Sequence, residues 1–125
     1  MRTVNIIFPV QNDECRLIRG IRRTSDFCEK YFSGRYRITI ADSGSTDETE
    51  GMGRAIARTC RQVDYIGGNN GPAGSALCTA LQENTCDIVG VMDIDLSAGL
   101  EHLPGMDYAF QDKKTGPSTH PGDPK

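Results

Sequence analysis

Short apolar runs alternate with longer amphipathic segments along this chain of 125 residues, and this alternation constrains the fold more than any other feature. Four runs have the length and apolar content of buried strands: residues 3–10, 37–41, 63–66 and 87–92. Strands joined by helical segments of this length form right-handed crossovers, so that helices cover both faces of a parallel sheet. The sequence therefore predicts an α/β fold, a three-layer α/β/α sandwich with a mainly parallel sheet.

The segments between the strands have helical periodicity. Residues 14–32 carry one apolar stripe that is expected to face the core: Leu17, Ile18, Ile21, Cys28 and Phe32. Ser45 stands three residues before Glu48, which is the spacing of a capping box, and it predicts a second helix that continues to about residue 60. A third helix follows Pro72 and is expected to turn four side chains inward: Ala76, Leu77, Ala80 and Leu81.

Two features predict where elements end. Pro9 is expected to stop the first strand because proline has no backbone N–H to donate. Residues 33–34, Ser-Gly, are expected to end the first helix. On this pattern the folded domain covers residues 1–110, with residues 107–110 as a candidate last strand, and residues 111–125 form a flexible polar tail without apolar periodicity.

Composition narrows the classes of function that the chain can have. The net charge of −3 argues against a protein built to bind nucleic acid. Four arginines at helical spacing are interpreted as a solvated helix face rather than a phosphate or membrane contact: Arg16, Arg19, Arg22 and Arg23. The five cysteines include no Cys-x-x-Cys pair, so we expect reduced and mostly buried thiols. With no apolar stretch long enough to span a membrane, the protein is expected to be cytoplasmic, with a peripheral membrane location as the alternative.

Polar or glycine-rich segments follow each of the four predicted strands, at residues 9–12, 42–45, 67–74 and 93–95. Ligands of open parallel sheets bind outside the carboxyl ends of the strands, so these segments predict one binding site. Asp93 and Asp95 are suited to Mg2+ or Mn2+, which prefer oxygen ligands and often share them with substrate phosphates. The alternative is an ordinary surface turn.

Three residues of these segments have a specific expected role. Gly74 and its neighbours allow close approach of an anion to the backbone before the third helix. Asp42 is expected to contact the ligand, with helix capping as the alternative. Ser45 is expected to cap the second helix.

Three segments, taken in order, resemble the signatures of family 2 glycosyltransferases with the GT-A, Rossmann-like fold: VNIIFPVQNDE at 4–14, IADSGSTD at 40–47 and DIDLS at 93–97. The resemblance covers roughly residues 3–110. Residues 96–97 and 100–103 are similar to the branch that transfers glucose or mannose to a polyprenyl phosphate.

The resemblance implies a nucleotide-diphosphate-sugar donor, UDP- or GDP-linked, and a lipid-phosphate or sugar acceptor. It implies that four residues line the nucleoside pocket: Pro9, Val10, Asn12 and Glu14. Asp42 would face the base, Asp93 would lie near the ribose and the metal, and Asp95 would ligate the Mg2+ or Mn2+ that bridges the diphosphate.

The chain departs from the family pattern in two places. Residues 71–76 contain no basic residue, whereas many relatives carry one there. The family fold continues well past the Asp-x-Asp, so we expect a truncated domain whose exposed sheet edge pairs with a second copy or another chain. No catalytic residue is nominated, since Glu101, His102 and His120 are expected at the surface or in the tail.

Two hypotheses follow, a glycosyltransferase or a truncated nucleotide-sugar-binding module that does not transfer sugar on its own. A dinucleotide-binding domain is disfavoured because no Gly-x-Gly-x-x-Gly follows the first strand.

Overall fold

A computed structural model describes residues 2–67, 74–95 and 111–112 of the chain. The elements occur in the order β1 (Val4–Val10), α1 (Leu17–Phe32), β2 (Tyr36–Asp42), α2 (Thr49–Thr59), β3 (Val63–Gly67), α3 (Ser75–Gln82), β4 (Ile88–Val91) and β5 (Gln111–Asp112). They form a sheet of order β3-β2-β1-β4-β5. The first four strands pair in parallel and β5 pairs antiparallel with β4. The predicted α/β fold with a mainly parallel sheet is confirmed.

Helices cover both faces of this sheet. Alternate residues of β1, which are Val4, Ile6, Phe8 and Val10, belong to one buried apolar cluster with Leu17 and Ile21 of α1, and side chains of α2 pack against it. Ile7 belongs to a second cluster with Ala76 and Ala80 of α3. Successive side chains of a strand point to opposite faces, so the two clusters are the two sides of the sheet. The three predicted layers are present.

Two apolar side chains lie outside the core to which the sequence assigns them. Ile18 is 47% exposed, although Leu17 and Ile21 of the same helix are buried. Each helical residue is turned by about 100° from the one before, and α1 contacts the sheet through a stripe too narrow to include Ile18. Leu81 of α3 is likewise exposed, because Ala76 and Ala80 make the buried contact.

Pro9 does not end the first strand, contrary to expectation. It is paired with Ala41 in a ladder that runs on to Val10 and Asp42. The N–H of Val4 and the carbonyl of Val10 form hydrogen bonds on the side of β1 that faces β2. The carbonyl of Ile7 accepts a hydrogen bond on the opposite side, which faces β4. The backbone groups of Pro9 point to the same side as those of Ile7, two residues earlier, which is the side of β4. The pairing of β1 with β4 ends at Ile7. The missing N–H of Pro9 therefore faces a position where no partner strand runs in the described part of the chain.

The predicted end of α1 is confirmed. Ser33 adopts the left-handed conformation with φ of 47° and donates its N–H to the carbonyl of Glu29, and Gly34 follows with φ of 84°. The prediction for the cysteines is wrong in the majority of cases. Cys28 and Cys86 are buried, but Cys15, Cys60 and Cys78 are exposed, and none of the five forms a disulfide.

The sheet extends past the predicted domain boundary at residue 110. Gln111 and Asp112, assigned to a flexible tail from their polar composition, pair with Val89 and Ile88 as β5. A strand at the edge of a sheet can be polar, because charged side chains are common on edge strands, where they discourage pairing with another chain. Residues 107–110 and 113–125 lie outside the described residues. Within the described ranges, no helix is long and apolar enough to cross a membrane.

Candidate functional site

The carboxyl ends of β1, β2 and β4 border a cavity of about 490 Å³. Its described lining is Pro9, Val10, Gln11, Asp13, Ser43, Val91, Met92, Asp93 and Asp95. Parallel strands bring their carboxyl ends to the same edge of the sheet, which is why segments far apart in the chain meet here. The cavity lies at the edge where the sequence predicts a site.

Asp93 and Asp95 lie just beyond β4, on either side of a buried residue. Ile94 is 2% exposed and belongs to the core cluster that includes α1. With Ile94 held inward, both aspartates remain exposed at the cavity. The N–H of Asp95 donates to Oδ1 of Asp93 at 3.1 Å, which fixes the turn between them. The turn therefore presents two carboxylates to the same space.

A third carboxylate, that of Asp13, reaches the cavity from the segment after β1. Its Oδ2 accepts the N–H of Gln11 at 3.0 Å, and its own N–H donates to the hydroxyl of Thr49 at 2.8 Å. Its Oδ1 accepts from Nη2 of Arg16 at 2.5 Å. The sequence does not predict Asp13 as a site residue, although its place in the polar segment after a buried strand is a usable signal.

Arg16 joins two of these carboxylates. Its Nε lies 3.2 Å from Oδ1 of Asp13 and 2.9 Å from Oδ1 of Asp95. The hydrogen bond to Asp13 and then the charge of Asp95 raise the pKa of the Arg16 guanidinium. Arg16 is exposed, as the interpretation of a solvated basic face expects, but it is also paired with two carboxylates, because the fold brings the end of β4 beside the start of α1.

Asn12 and Glu14 lie outside the described lining of the cavity and instead tie two loops together. Oδ1 of Asn12 accepts the N–H of Thr46 at 2.8 Å, and Oε1 of Glu14 accepts the N–H of Glu48 at 2.9 Å. In return the N–H of Glu14 donates to Asp47. These bonds connect the end of β1 to the loop before α2. Asn12 has φ of 53°, in the left-handed region that asparagine tolerates better than most residues.

Asp42, at the end of β2, organises that same loop. Its Oδ1 accepts the N–H groups of Gly44 and Ser45 and the hydroxyl of Ser45. Its Oδ2 accepts the hydroxyl of Tyr65 on β3 at 2.5 Å. Burial, and then the bond to Asp42, raise the pKa of Tyr65 well above its ordinary range. Asp42 itself is only 2% exposed.

The predicted capping box is wrong. The Ser45 hydroxyl donates to Asp42 and accepts the N–H of Asn12 at 2.9 Å. Helix α2 begins only at Thr49, whose N–H donates to Oδ1 of Asp47, and Glu48 makes no side-chain cap. The loop turns back around Asp42, so Ser45 is too early in the chain to cap the helix.

Two glycines stand at the ends of the third polar segment, on either side of residues 68–73, which lie outside the described ranges. Gly67 has φ of +131°, and a Cβ placed there would lie 2.2 Å from the backbone oxygen of Asp42. Gly74 has φ of +90° and immediately precedes α3; a Cβ placed there would meet no atom within 4 Å in the described part of the chain. Pro72, expected in the first turn of α3, is among the residues that are not described.

Residues 5–117 match the model of the family described as Glycosyl transferase family 2. A similar curated protein is the undecaprenyl-phosphate 4-deoxy-4-formamido-L-arabinose transferase of Pseudomonas paraeruginosa, 30% identical over 104 residues, which cover 81% of this chain and 30% of that protein.

Two solved structures are similar in fold. One is a mannosyltransferase of Pyrobaculum calidifontis in complex with GDP-Man and Mn2+, with TM-score 0.60 and 23% identity, covering 82% of this chain and 32% of that one. The other is S. aureus TarS in complex with UDP-GlcNAc, with TM-score 0.60 and 17% identity, covering 86% of this chain and 31% of that one.

This chain spans about a third of the length of each of these relatives. The match to the family model extends from β1 through β5 and includes every described residue of the cavity. The chain therefore belongs to glycosyl transferase family 2.

Proposed function

We propose that this chain is the donor-binding part of a glycosyltransferase that takes a sugar from a nucleotide diphosphate and transfers it to an acceptor. The observation that carries the proposal is the pair Asp93 and Asp95, exposed at a cavity on the carboxyl edge of the parallel sheet. The family supplies the reaction class, and the two similar structures were solved with GDP-Man and with UDP-GlcNAc.

The residues at this cavity fit a divalent cation. Asp93 and Asp95 offer hard carboxylate oxygens, the ligands that Mg2+ and Mn2+ prefer. In the described part of the chain, no three acidic, cysteine or histidine side chains are grouped to hold a metal by themselves. We infer that Asp93 and Asp95 would hold the ion together with diphosphate oxygens and water. When bound, such an ion would stabilise negative charge on the departing nucleoside diphosphate.

The nucleoside is proposed to lie along the ends of β1 and β2. Pro9 and Val10 line the cavity directly, while Asn12 and Glu14 contribute by fixing the loop beside it. Asp42 has one oxygen with three donors, but Oδ2 has only the Tyr65 hydroxyl among the described residues. Asp42 is 2% exposed and lies outside the described lining of the cavity, so we propose that it supports the base by holding the loop after β2 in place. Gly74 is proposed to face the phosphates at the start of α3.

The acceptor is proposed to be a lipid phosphate, with a polyprenyl phosphate as the first candidate. The 30% identical relative is named for transfer on undecaprenyl phosphate, and this supports the choice. No catalytic base is assigned among the described residues. A protein that uses a lipid acceptor would lie at the membrane surface, and one that uses a water-soluble acceptor would lie in the cytoplasm.

A second candidate is a nucleotide-sugar-binding module that does not transfer sugar by itself. It is kept because the described residues include the donor-side pair Asp93 and Asp95 but none to which a catalytic role is assigned. Both candidates require the same donor site, and they differ in whether a product forms.

The two candidates can be separated with radiolabelled UDP- and GDP-linked sugars, Mn2+ and vesicles containing a polyprenyl phosphate. Binding by equilibrium dialysis together with label in the lipid fraction would support the transferase. Donor binding without lipid-linked product would support the module. Absence of donor binding, in a chain that unfolds cooperatively, would contradict both.

A further inference from the structure

Arg16 is a cation beside the proposed donor site, paired with two carboxylates of the cavity lining, and the family resemblance assigns it no role. Its Nε stands between Oδ1 of Asp13, at 3.2 Å, and Oδ1 of Asp95, at 2.9 Å. Asp95 is one of the two residues proposed to hold the metal. The guanidinium and the metal would therefore compete for the carboxylate of Asp95.

The described lining of the cavity contains three carboxylates, those of Asp13, Asp93 and Asp95, and no lysine or arginine. Three like charges in one space repel one another and would repel an entering diphosphate. Arg16 is paired with Asp13 and Asp95 and offsets part of this negative charge. A divalent cation on Asp93 and Asp95 would take over that compensation.

Arg16 can leave Asp95 without unfolding its surroundings. The two side chains are about half exposed, at 51% and 53% of their reference areas. The carboxylate of Asp13 is also held by the N–H of Gln11, so it does not depend on the guanidinium alone. Exposed ion pairs are weak and break readily.

The released guanidinium has a suitable partner in a bound diphosphate. Arginine binds phosphate oxygens in a planar, two-pronged geometry. The sequence carries no basic residue in 71–76, the segment expected to contact the phosphates. Arg16 immediately precedes α1 and is bonded to Asp13 of the cavity wall, so it is placed to supply that charge.

We propose that Arg16 exchanges partners during donor binding: it holds Asp95 when the metal is absent, and it binds the diphosphate once the metal has taken Asp95. This inference rests on the proposed function and assigns a role to one residue of that site. It requires Arg16 to oppose the binding of metal alone and to favour the binding of nucleotide with metal. The two effects have opposite signs.

The test is calorimetric titration of the full chain with Mn2+ alone, then with UDP or GDP at saturating Mn2+, for wild type and Arg16→Gln. Arg16→Gln is expected to bind Mn2+ about two- to fivefold more tightly, because an exposed ion pair no longer competes. It is expected to bind the nucleotide about tenfold more weakly, because a charged hydrogen-bond donor to phosphate is lost.

Arg23→Gln is the matched control. It removes the same charge from an exposed position of α1. Arg23 lies two turns from Arg16, about 10 Å along the helix axis. That separation is comparable with the screening length in 0.1 M salt. Both of its affinities should equal those of the wild type. If Arg16→Gln is poorly folded by thermal unfolding, Arg16→Met, which keeps the aliphatic stem, provides the same comparison.

The outcomes separate this inference from the proposed function. In one outcome the wild type binds Mn2+ and nucleotide, but Arg16→Gln binds Mn2+ no more tightly than the wild type does. That outcome would overturn the exchange and leave the donor site in place. Unchanged nucleotide affinity in Arg16→Gln would overturn it as well. Absence of Mn2+ and nucleotide binding in wild type and all variants would contradict the donor site, and the exchange with it.

Discussion

At the scale of single residues, a role that follows from neighbours in the sequence can be predicted. A role that depends on contact with a distant part of the chain cannot. Asp93 and Asp95 are predicted from sequence because they follow a strand, and the structure places them at the cavity. The contact between Arg16 and Asp95 depends on β4 lying beside β1, and the helical spacing of the arginines gives no sign of it. Ser45 is misassigned for the same reason, since its partners Asp42 and Asn12 are brought together by the sheet.

The buried thiol of Cys28 makes the stability of the protein depend on alkaline pH. Burial raises the pKa of this thiol from 9.0 to about 12. Above its ordinary pKa the unfolded chain loses the proton while the folded chain keeps it, so the free energy of unfolding falls as pH rises through this interval. One such group contributes a slope of up to about 1.4 kcal/mol per pH unit.

Cys28→Ala should flatten this decline in denaturant unfolding measured between about pH 8 and pH 11 under reducing conditions. A remaining decline is expected from Tyr36 and Tyr65, whose pKa values are raised in part by burial. Cys60→Ala, at an exposed thiol, should leave the slope as in wild type. Parallel curves for Cys28→Ala and wild type would contradict the assignment.

At the scale of elements, the alternation of strand and helix is predictable because each element is long enough to show its period. The bounds shift where a long-range contact decides them. β2 runs to Asp42 because it pairs with Val10, and α2 starts at Thr49 because the preceding loop wraps around Asp42. Gln111 and Asp112 cannot be identified as a strand from their polar composition, since β5 exists through its pairing with β4.

Two glycines in different elements should respond to alanine in opposite directions. Gly67→Ala would place a Cβ 2.2 Å from the Asp42 carbonyl oxygen at φ of +131°, so it should destabilise the protein by about 3 kcal/mol or more. Gly51 lies on the exposed side of α2, and a Cβ there would meet nothing closer than 3.7 Å in the described part of the chain. Gly51→Ala should stabilise by about 0.5–1 kcal/mol.

Urea unfolding of both variants measures this contrast. A Gly67→Ala protein as stable as wild type would show that β3 does not close against the end of β2 in the way described. A destabilised Gly51→Ala protein would show that α2 is not exposed at this position.

At the scale of the whole molecule, the two outer strands of the sheet, β3 and β5, have no further partner strand within the described residues. β3 pairs only with β2 in the described part of the chain. β5 pairs with two residues of β4, and Val91 beyond them is exposed. Unpaired strand edges are sites for pairing with another chain. We therefore predict self-association or pairing with a second chain.

Sedimentation velocity over a concentration series can check this prediction. At tens of micromolar the chain should sediment as a dimer or larger species and dissociate on dilution. A single monomeric boundary throughout that range would contradict pairing between copies of this chain.

The central claim is that Asp95 belongs to a metal-dependent donor site, and thermal unfolding tests it most directly. The chain would be heated with Mn2+ and a UDP- or GDP-linked sugar, beside Asp95→Asn and the control Asp26→Asn, which removes the same charge from an exposed position of α1. Ligand at about 100 times its dissociation constant should stabilise the fold by about 2.7 kcal/mol. We predict a metal-dependent shift for one nucleotide that persists in Asp26→Asn and is lost in Asp95→Asn. No shift with any donor, or an equal shift in Asp95→Asn, would contradict the account.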